Sequence, residues 1–194
     1  MAGRPRSFEP ETVLERAMHV FWAKGYEATG IADLEAATGL GRQSLYGAFG
    51  DKRALFARVV EFYFERVLKP GIVDLLDAPG SARKNLEVLL DRWVLVASAP
   101  DFNGCLVGNG ASALPPRDPE IADLLRRKLK LLEEALVRVL RRAHDAGEVP
   151  RSLDVRSTAR SLLAMSQGLG VIARVQREPA FIRSVVDGAR RLLD

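Results

Sequence analysis

The chain has 194 residues, of which 47% are hydrophobic and 28% charged; this is the balance of a folded globular protein and excludes a disordered or fibrous chain. A net charge of +4 permits a nucleic-acid partner without requiring one, and residues 1–60 carry eight Lys/Arg against seven Asp/Glu, so any DNA surface must arise from placement and not from bulk charge. No apolar run approaches the roughly 18 residues of a membrane span, and the opening Met1-Ala2-Gly3-Arg4-Pro5-Arg6 lacks the apolar core of a signal peptide, which predicts a cytoplasmic protein with no membrane partner.

A single cysteine, Cys105, cannot form an internal disulfide, and His19 and His144 are too far apart in sequence to suggest a Cys/His metal site. Neither a metal nor a cofactor is expected, so packing must supply the stability.

Val13, Leu14, Ala17, Met18, Val20 and Phe21 recur at helical spacing and predict a first helix over 12–24, closed by Gly25. Thr29 is the expected N-cap of a short second helix bearing Ile31, Leu34 and Ala37, which stops at Gly39. After a tight turn a third helix runs from about Arg42 to Phe49. Gly50-Asp51 then breaks the chain and caps a fourth helix containing Leu55, Phe56, Val59, Val60, Phe62, Tyr63 and Val67. Pro70, Gly71, Pro79 and Gly80 punctuate the next stretch. Further helices are predicted over 81–98, 104–114, from Leu124 to about Ala146, 154–177 and 179–193, with turns at Pro100, Pro115-Pro116 and Glu178-Pro179. No stretch alternates like a strand and no repeat is present. The fold class is all-α, about nine helices, with an N-terminal three-helix unit (1–50) followed by a larger helical domain (51–194).

Two short helices across a Gly-containing turn, supported by a third, define a helix-turn-helix whose second helix enters the major groove. That helix reads Gly41-Arg42-Gln43-Ser44-Leu45-Tyr46-Gly47-Ala48-Phe49. Its polar residues Arg42, Gln43 and Ser44 stand at the N-terminal end, while Leu45 and Phe49 share an inward face. Arg pairs with guanine and Gln with adenine through two hydrogen bonds each, and a bidentate pair discriminates by about 1–3 kcal/mol. Thr29, Tyr46 and Lys52 are placed to touch phosphates, and Arg4 and Arg6 to add a basic arm.

From Glu11 to Phe56 the chain resembles the DNA-binding domain of the TetR family of bacterial repressors, on the ordered set Phe21, Gly25, Tyr26, Thr29, Ile31, Ala37, Gly39, Leu45, Tyr46, Phe49, Lys52 and Leu55. Gly41 departs from the Ser or Ala frequent there, which weakens the helix start slightly without breaking the motif. The resemblance implies a homodimer, a palindromic double-stranded DNA operator, and a pocket in the second domain where a small-molecule effector releases the DNA. Helix four would be the lever, since it joins Lys52 at the DNA to Phe62 and Tyr63 near the ligand. The implied pairing of the last two helices with their twins makes Leu162, Leu169, Ile172, Phe181, Val185 and Ala189 candidates for the dimer interface, with Gly168 and Gly170 allowing close approach. Intramolecular core is the competing role for the same residues.

Phe62, Trp93, Phe102, Asn109, Met165 and Gln167 are candidates to line the effector pocket, against the alternative that they are plain core. Cys105 has two readings. Just inside a helix start with Asn103 as cap, its thiol would ionise easily and sense electrophiles or oxidants, as in regulators that resemble this one; otherwise it is a small packed residue. The basic face Arg126, Arg127, Lys130, Arg138, Arg141 and Arg142 reads as a solvated helix side. There are no catalytic candidates: the chain has no Gly-x-Ser-x-Gly, phosphate loop or His-Glu-x-x-His, and Gly39-Leu40-Gly41 follows no strand. The rival to a repressor is a helical sensor that has lost its DNA.

Overall fold

The computed structural model describes residues 8–113 and 118–194; Arg4, Arg6 and the Pro115-Pro116 turn lie outside them. All the regular structure among the described residues is helical. The helices are α1 (Pro10–Lys24), α2 (Ile31–Thr38), α3 (Arg42–Phe49), α4 (Lys52–Tyr63), a π-helical segment (Phe64–Val73), α5 (Asp74–Asp77), α6 (Ala82–Ala97), α7 (Leu106–Ala113), α8 (Pro119–Asp145), α9 (Val155–Ile172) and α10 (Pro179–Arg191). Because α4, the π segment and α5 run end to end, the described residues form nine rods, as the periodicity predicted.

Local chemistry accounts for most boundaries. Pro10 opens α1, where its missing N–H is no loss. The amide of Gly25 closes the helix on the Phe21 carbonyl. The Asp51 carboxylate accepts from the Ala54 amide and caps α4, as expected. Gly39 ends α2 in the left-handed conformation at φ 74°. Asp118 caps α8 through the Ile121 amide, so that helix begins five residues before the predicted Leu124.

Two expectations are corrected. The cap of α2 is Gly30, whose amide donates to Asp33 at 2.9 Å. Thr29 is buried instead, and its hydroxyl donates to the Gly25 carbonyl at 2.6 Å, tying the α1–α2 turn to the end of α1. Pro70 and Gly71 do not stop the fourth rod. A proline inside an α-helix collides with the carbonyl one turn back, and widening the turns to π geometry accommodates it.

Two apolar clusters organise the packing. One joins Val13, Ala17 and Phe21 of α1 to Leu34, Leu45, Phe49, Leu55 and Phe56, then extends through Tyr63 and Leu68 to Leu106, Ile121 and Leu125. The other packs α6, α8, α9 and α10 around Leu86, Leu90, Leu136, Leu140, Leu162, Ile182 and Val186. The fourth rod, through Ile72 and Val73, touches both. Arg142 of the basic face donates to the carbonyls of Leu76, Ala78 and Gly80, closing the C-terminal end of α5. Arg138 pairs with Asp77 at 2.7 Å. Much of that face is therefore paired within the chain.

Candidate DNA interface and effector cavity

Leu45 and Phe49 of α3 are buried, and Arg42, Gln43 and Ser44 are exposed. The helix therefore anchors through two apolar residues and presents its polar N-terminal end outward. The Arg42 amide, otherwise an orphan donor of the first turn, gives a 2.6 Å hydrogen bond to Glu35 Oε1 of α2. That side chain fixes the angle between the two helices, a role to which the spacing of apolar residues gives no clue. The Arg42 guanidinium lies 5.6 Å from the Tyr46 ring centroid. Lys52 sits 4.7 Å above the Tyr26 ring and donates to the Glu27 carbonyl at 3.3 Å, so its ammonium is held at the edge of the same unit. Thr29, expected at a phosphate, has its hydroxyl turned inward.

The second feature is a cavity of about 180 Å³. Tyr63, Val67, Leu68, Gly71 and Ile72 of the fourth rod form one wall, and the widened turns at Pro70 supply much of it. Leu89, Arg92, Trp93, Val96 and Ala97 of α6 form another; Phe102, Gly104 and Cys105, with Ser166, Gln167, Leu169 and Gly170 of α9, complete it. Trp22 of α1 also reaches it. Its indole N–H donates to the Gly104 carbonyl at 2.9 Å, and its ring meets Tyr63 edge-on at 5.1 Å.

Gly104 cannot carry a side chain: it has φ 79°, and a Cβ there would lie 2.6 Å from the Gly170 carbonyl oxygen. The Gly170 backbone thus packs closely against Gly104 within the chain. Gly108 similarly leaves room for the carboxamide of Gln167, whose Oε1 is buried with no hydrogen-bond partner among the described residues. An orphaned buried acceptor costs about 1–3 kcal/mol.

Of the pocket residues expected from sequence, the fold brings Trp93, Phe102, Cys105 and Gln167 together. Asn109 is buried beside them but is committed to the loop, its amide donating to the Asn103 carbonyl at 2.7 Å. Phe62 lies under the Arg66 guanidinium, and Met165 packs beside Gly188 on the α9–α10 side. Tyr63, expected near the ligand, lines the cavity, as do Trp22 and Arg92, which only the folded chain brings there.

Cys105 precedes the first residue of α7, and Asn103 contributes its carbonyl to Asn109. Burial pushes the thiol above its ordinary range, outweighing hydrogen bonds from the amides of Gly108 and Val107 and the contacts of Tyr63 and Gln167. This is the reverse of the easily ionised thiol expected from a helix start, and it does not favour electrophile sensing. Burial likewise holds the Tyr63 hydroxyl well above its usual range.

On the last two helices, Leu162, Leu169 and Ala189 are buried within the chain, Phe181 and Val185 are half-buried, and Ile172 is 44% exposed. Val171 and Val175 of the same region are 46% and 87% exposed.

An outward polar helix end on a buried two-residue anchor, backed by α1 and α2, defines a helix-turn-helix DNA-binding regulator. Comparison with known proteins agrees. Residues 13–59 match the bacterial regulatory proteins of the tetR family, and residues 80–189 match the tetracyclin repressor-like C-terminal domain. The HTH-type transcriptional regulator YezE of Bacillus subtilis is 34% identical over 194 residues, covering 99% of this chain and all of YezE. The HTH-type transcriptional repressor ComR of Escherichia coli is 32% identical, over 89% of this chain and 82% of ComR. A cysteine-substituted mutant of the TetR family regulator CifR, complexed with 26-bp double-strand operator DNA, superposes with a TM-score of 0.86 at 32% identity, over 99% of this chain and 100% of that one. The chain belongs to the TetR family. It is a helix-turn-helix, DNA-binding transcriptional regulator. No described helix is long and apolar enough to cross a membrane.

Proposed function

We propose that the protein is a cytoplasmic repressor that works by binding and not by catalysis: residues 1–50 read a palindromic operator, and residues 51–194 dimerise and take up a small-molecule effector that releases it. The exposure of Arg42, Gln43 and Ser44 beside the buried Leu45 and Phe49 carries this reading. Arg42 and Gln43 are the base readers and Ser44 an adjacent contact. Tyr46 and Lys52 hold phosphates, with Arg4 and Arg6 as a basic arm. Thr29 acts by shaping the turn that carries α2. The partly exposed Ile172, Phe181 and Val185, continued by Val171 and Val175, form the face for the twin chain.

Effector coupling runs through Trp22 as well as the fourth rod. Trp22 belongs to the first helix of the DNA-binding unit, yet it lines the cavity and bonds to the loop that closes it. Further along, Lys128 of α8 is buried against the Phe64 ring and pairs with Glu61, while Arg53 pairs with Asp118 and Glu120. A ligand that displaces Trp22 or Tyr63 would therefore move α1 and α4 together and spoil the about 34–36 Å spacing that two recognition helices need.

The test is selection of bound sites from random duplex DNA by the full-length protein. A two-fold symmetric site with half-sites about one helical turn apart is expected. Absence of any enriched sequence would overturn the operator reading.

A further inference from the structure

The residues around the cavity narrow its ligand more than its shape does. Four aromatic rings, Trp22, Tyr63, Trp93 and Phe102, border about 180 Å³, below the about 300–1,000 Å³ typical of drug-sized ligands. That space suits a single ring with small substituents. No Asp or Glu lines it. Its one charged residue is Arg92, exposed at the rim, which donates to the Gly71 carbonyl at 2.8 Å and has no carboxylate partner among the described residues. An unbalanced guanidinium favours an anion, and its planar fork suits a carboxylate. Gln167 lines the cavity, but its Oε1 is buried without a donor against Gly108 of α7; turning the carboxamide towards a ligand that supplies a donor removes an existing desolvation cost.

We infer that the effector is a small aromatic acid bearing a hydroxyl or comparable donor, with its carboxylate at Arg92, its ring against Trp22, Trp93 and Phe102, and its donor on Gln167 Oε1. This rests on reading the cavity as the effector site. The larger groove between α4 and α8 suits a small aromatic acid less: the carboxylates of Asp51, Glu61, Glu120 and Asp123 stand among its cations, and Arg53, Glu61, Glu120 and Asp123 are already paired with one another or with neighbouring side chains.

The protein supplies its own reporter, because its two tryptophans both line the cavity. Full-length protein is titrated with 4-hydroxybenzoate while tryptophan emission is followed. Three analogues change one feature each: 4-methoxybenzoate lacks the donor, 4-hydroxybenzyl alcohol lacks the charge, and 4-hydroxybenzylamine reverses it. A saturable change with 4-hydroxybenzoate is expected, with affinity lower by about tenfold for the methoxy compound and for the alcohol. Arg92→Gln, which gives up one exposed hydrogen bond to the Gly71 carbonyl, should bring the acid down to the level of the alcohol while the protein still melts cooperatively. Gln167→Leu should make the hydroxy and methoxy acids equal. Equal binding of the amine, indifference to Arg92→Gln, or no response to any compound would overturn the inference. The same titration on operator-bound protein separates the two readings. Binding without release keeps the ligand class and overturns effector release. Failure to bind, with the operator held normally, overturns the ligand class and leaves DNA repression standing.

Discussion

Replacing Trp22 by Phe should uncouple the cavity from the DNA while leaving both intact. The substitution keeps a ring facing Tyr63 but removes the indole N–H and with it the 2.9 Å hydrogen bond to the Gly104 carbonyl. A part-buried neutral hydrogen bond contributes about 0.5–1.5 kcal/mol net, and the lost five-membered ring adds roughly 0.5–1 kcal/mol of apolar contact at about 25 cal/mol per Å². The expected loss is about 1–2 kcal/mol, a fall in Tm of several degrees at about 2–4 °C per kcal/mol for a chain of this size. Urea unfolding of wild type and variant measures it. Operator affinity without effector should change little, because no α3 residue is altered. Ligand-induced release should weaken by a larger factor, since coupling energies between sites are typically about 1–3 kcal/mol. Unchanged release in Trp22→Phe, with ligand binding verified by the remaining Trp93 signal, would refute the role given to this hydrogen bond.

Further substitutions separate the other roles. Tyr46→Phe should weaken binding to every DNA sequence alike, whereas Gln43→Ala should relax preference at one base pair by about 1–3 kcal/mol; competition assays on single-base variants of the operator distinguish them. Gly104→Ala should prevent a stable fold or cost several kcal/mol, because it combines a positive φ with a Cβ 2.6 Å from a backbone oxygen, and thermal melting reads this directly. Cys105 should alkylate more slowly than a free thiol near neutral pH. Its folded ionisation lies above the unfolded one, so the stability this group contributes is fully present below the unfolded thiol range and is lost as pH rises towards the folded value. Denaturant midpoints across alkaline pH, compared with Cys105→Ser, measure that slope.

The helix order was legible because caps and apolar spacing act locally: Gly39 and Asp51 end and start their helices by chemistry within four residues. The recognition helix was legible for the same reason, since the alternation of Leu45 and Phe49 with polar residues already separates an inner from an outer side. Thr29 misled because a threonine before a helix can cap it or bond backwards, and here Gly30 and Asp33 take the cap. Pro70 misled because its conflict with the preceding turn is relieved by widening the helix, which spacing alone does not encode.

The cavity was only partly readable. Trp93, Phe102, Cys105 and Gln167 lie in the second half of the fold, where a pocket was expected. Trp22 lies 82 residues before the carbonyl it bonds, on a helix assigned to DNA. Arg92 stands among other charges in the sequence with nothing to single it out, and only the fold places it at a cavity lined by no acids. Cys105 shows the limit of reasoning from position in a helix: closeness to the amides of α7 favours ionisation, and the surrounding burial overrides it.

The central claim is that α3 reads the operator through Arg42 and Gln43. Fluorescence anisotropy on the selected operator and on a scrambled duplex, at one fixed salt concentration, tests it with the Arg42→Ala/Gln43→Ala double variant. Specific affinity should fall towards the scrambled level while scrambled binding drops far less, since Tyr46 and Lys52 remain. A double variant that keeps the wild-type ratio of specific to scrambled affinity would contradict the account.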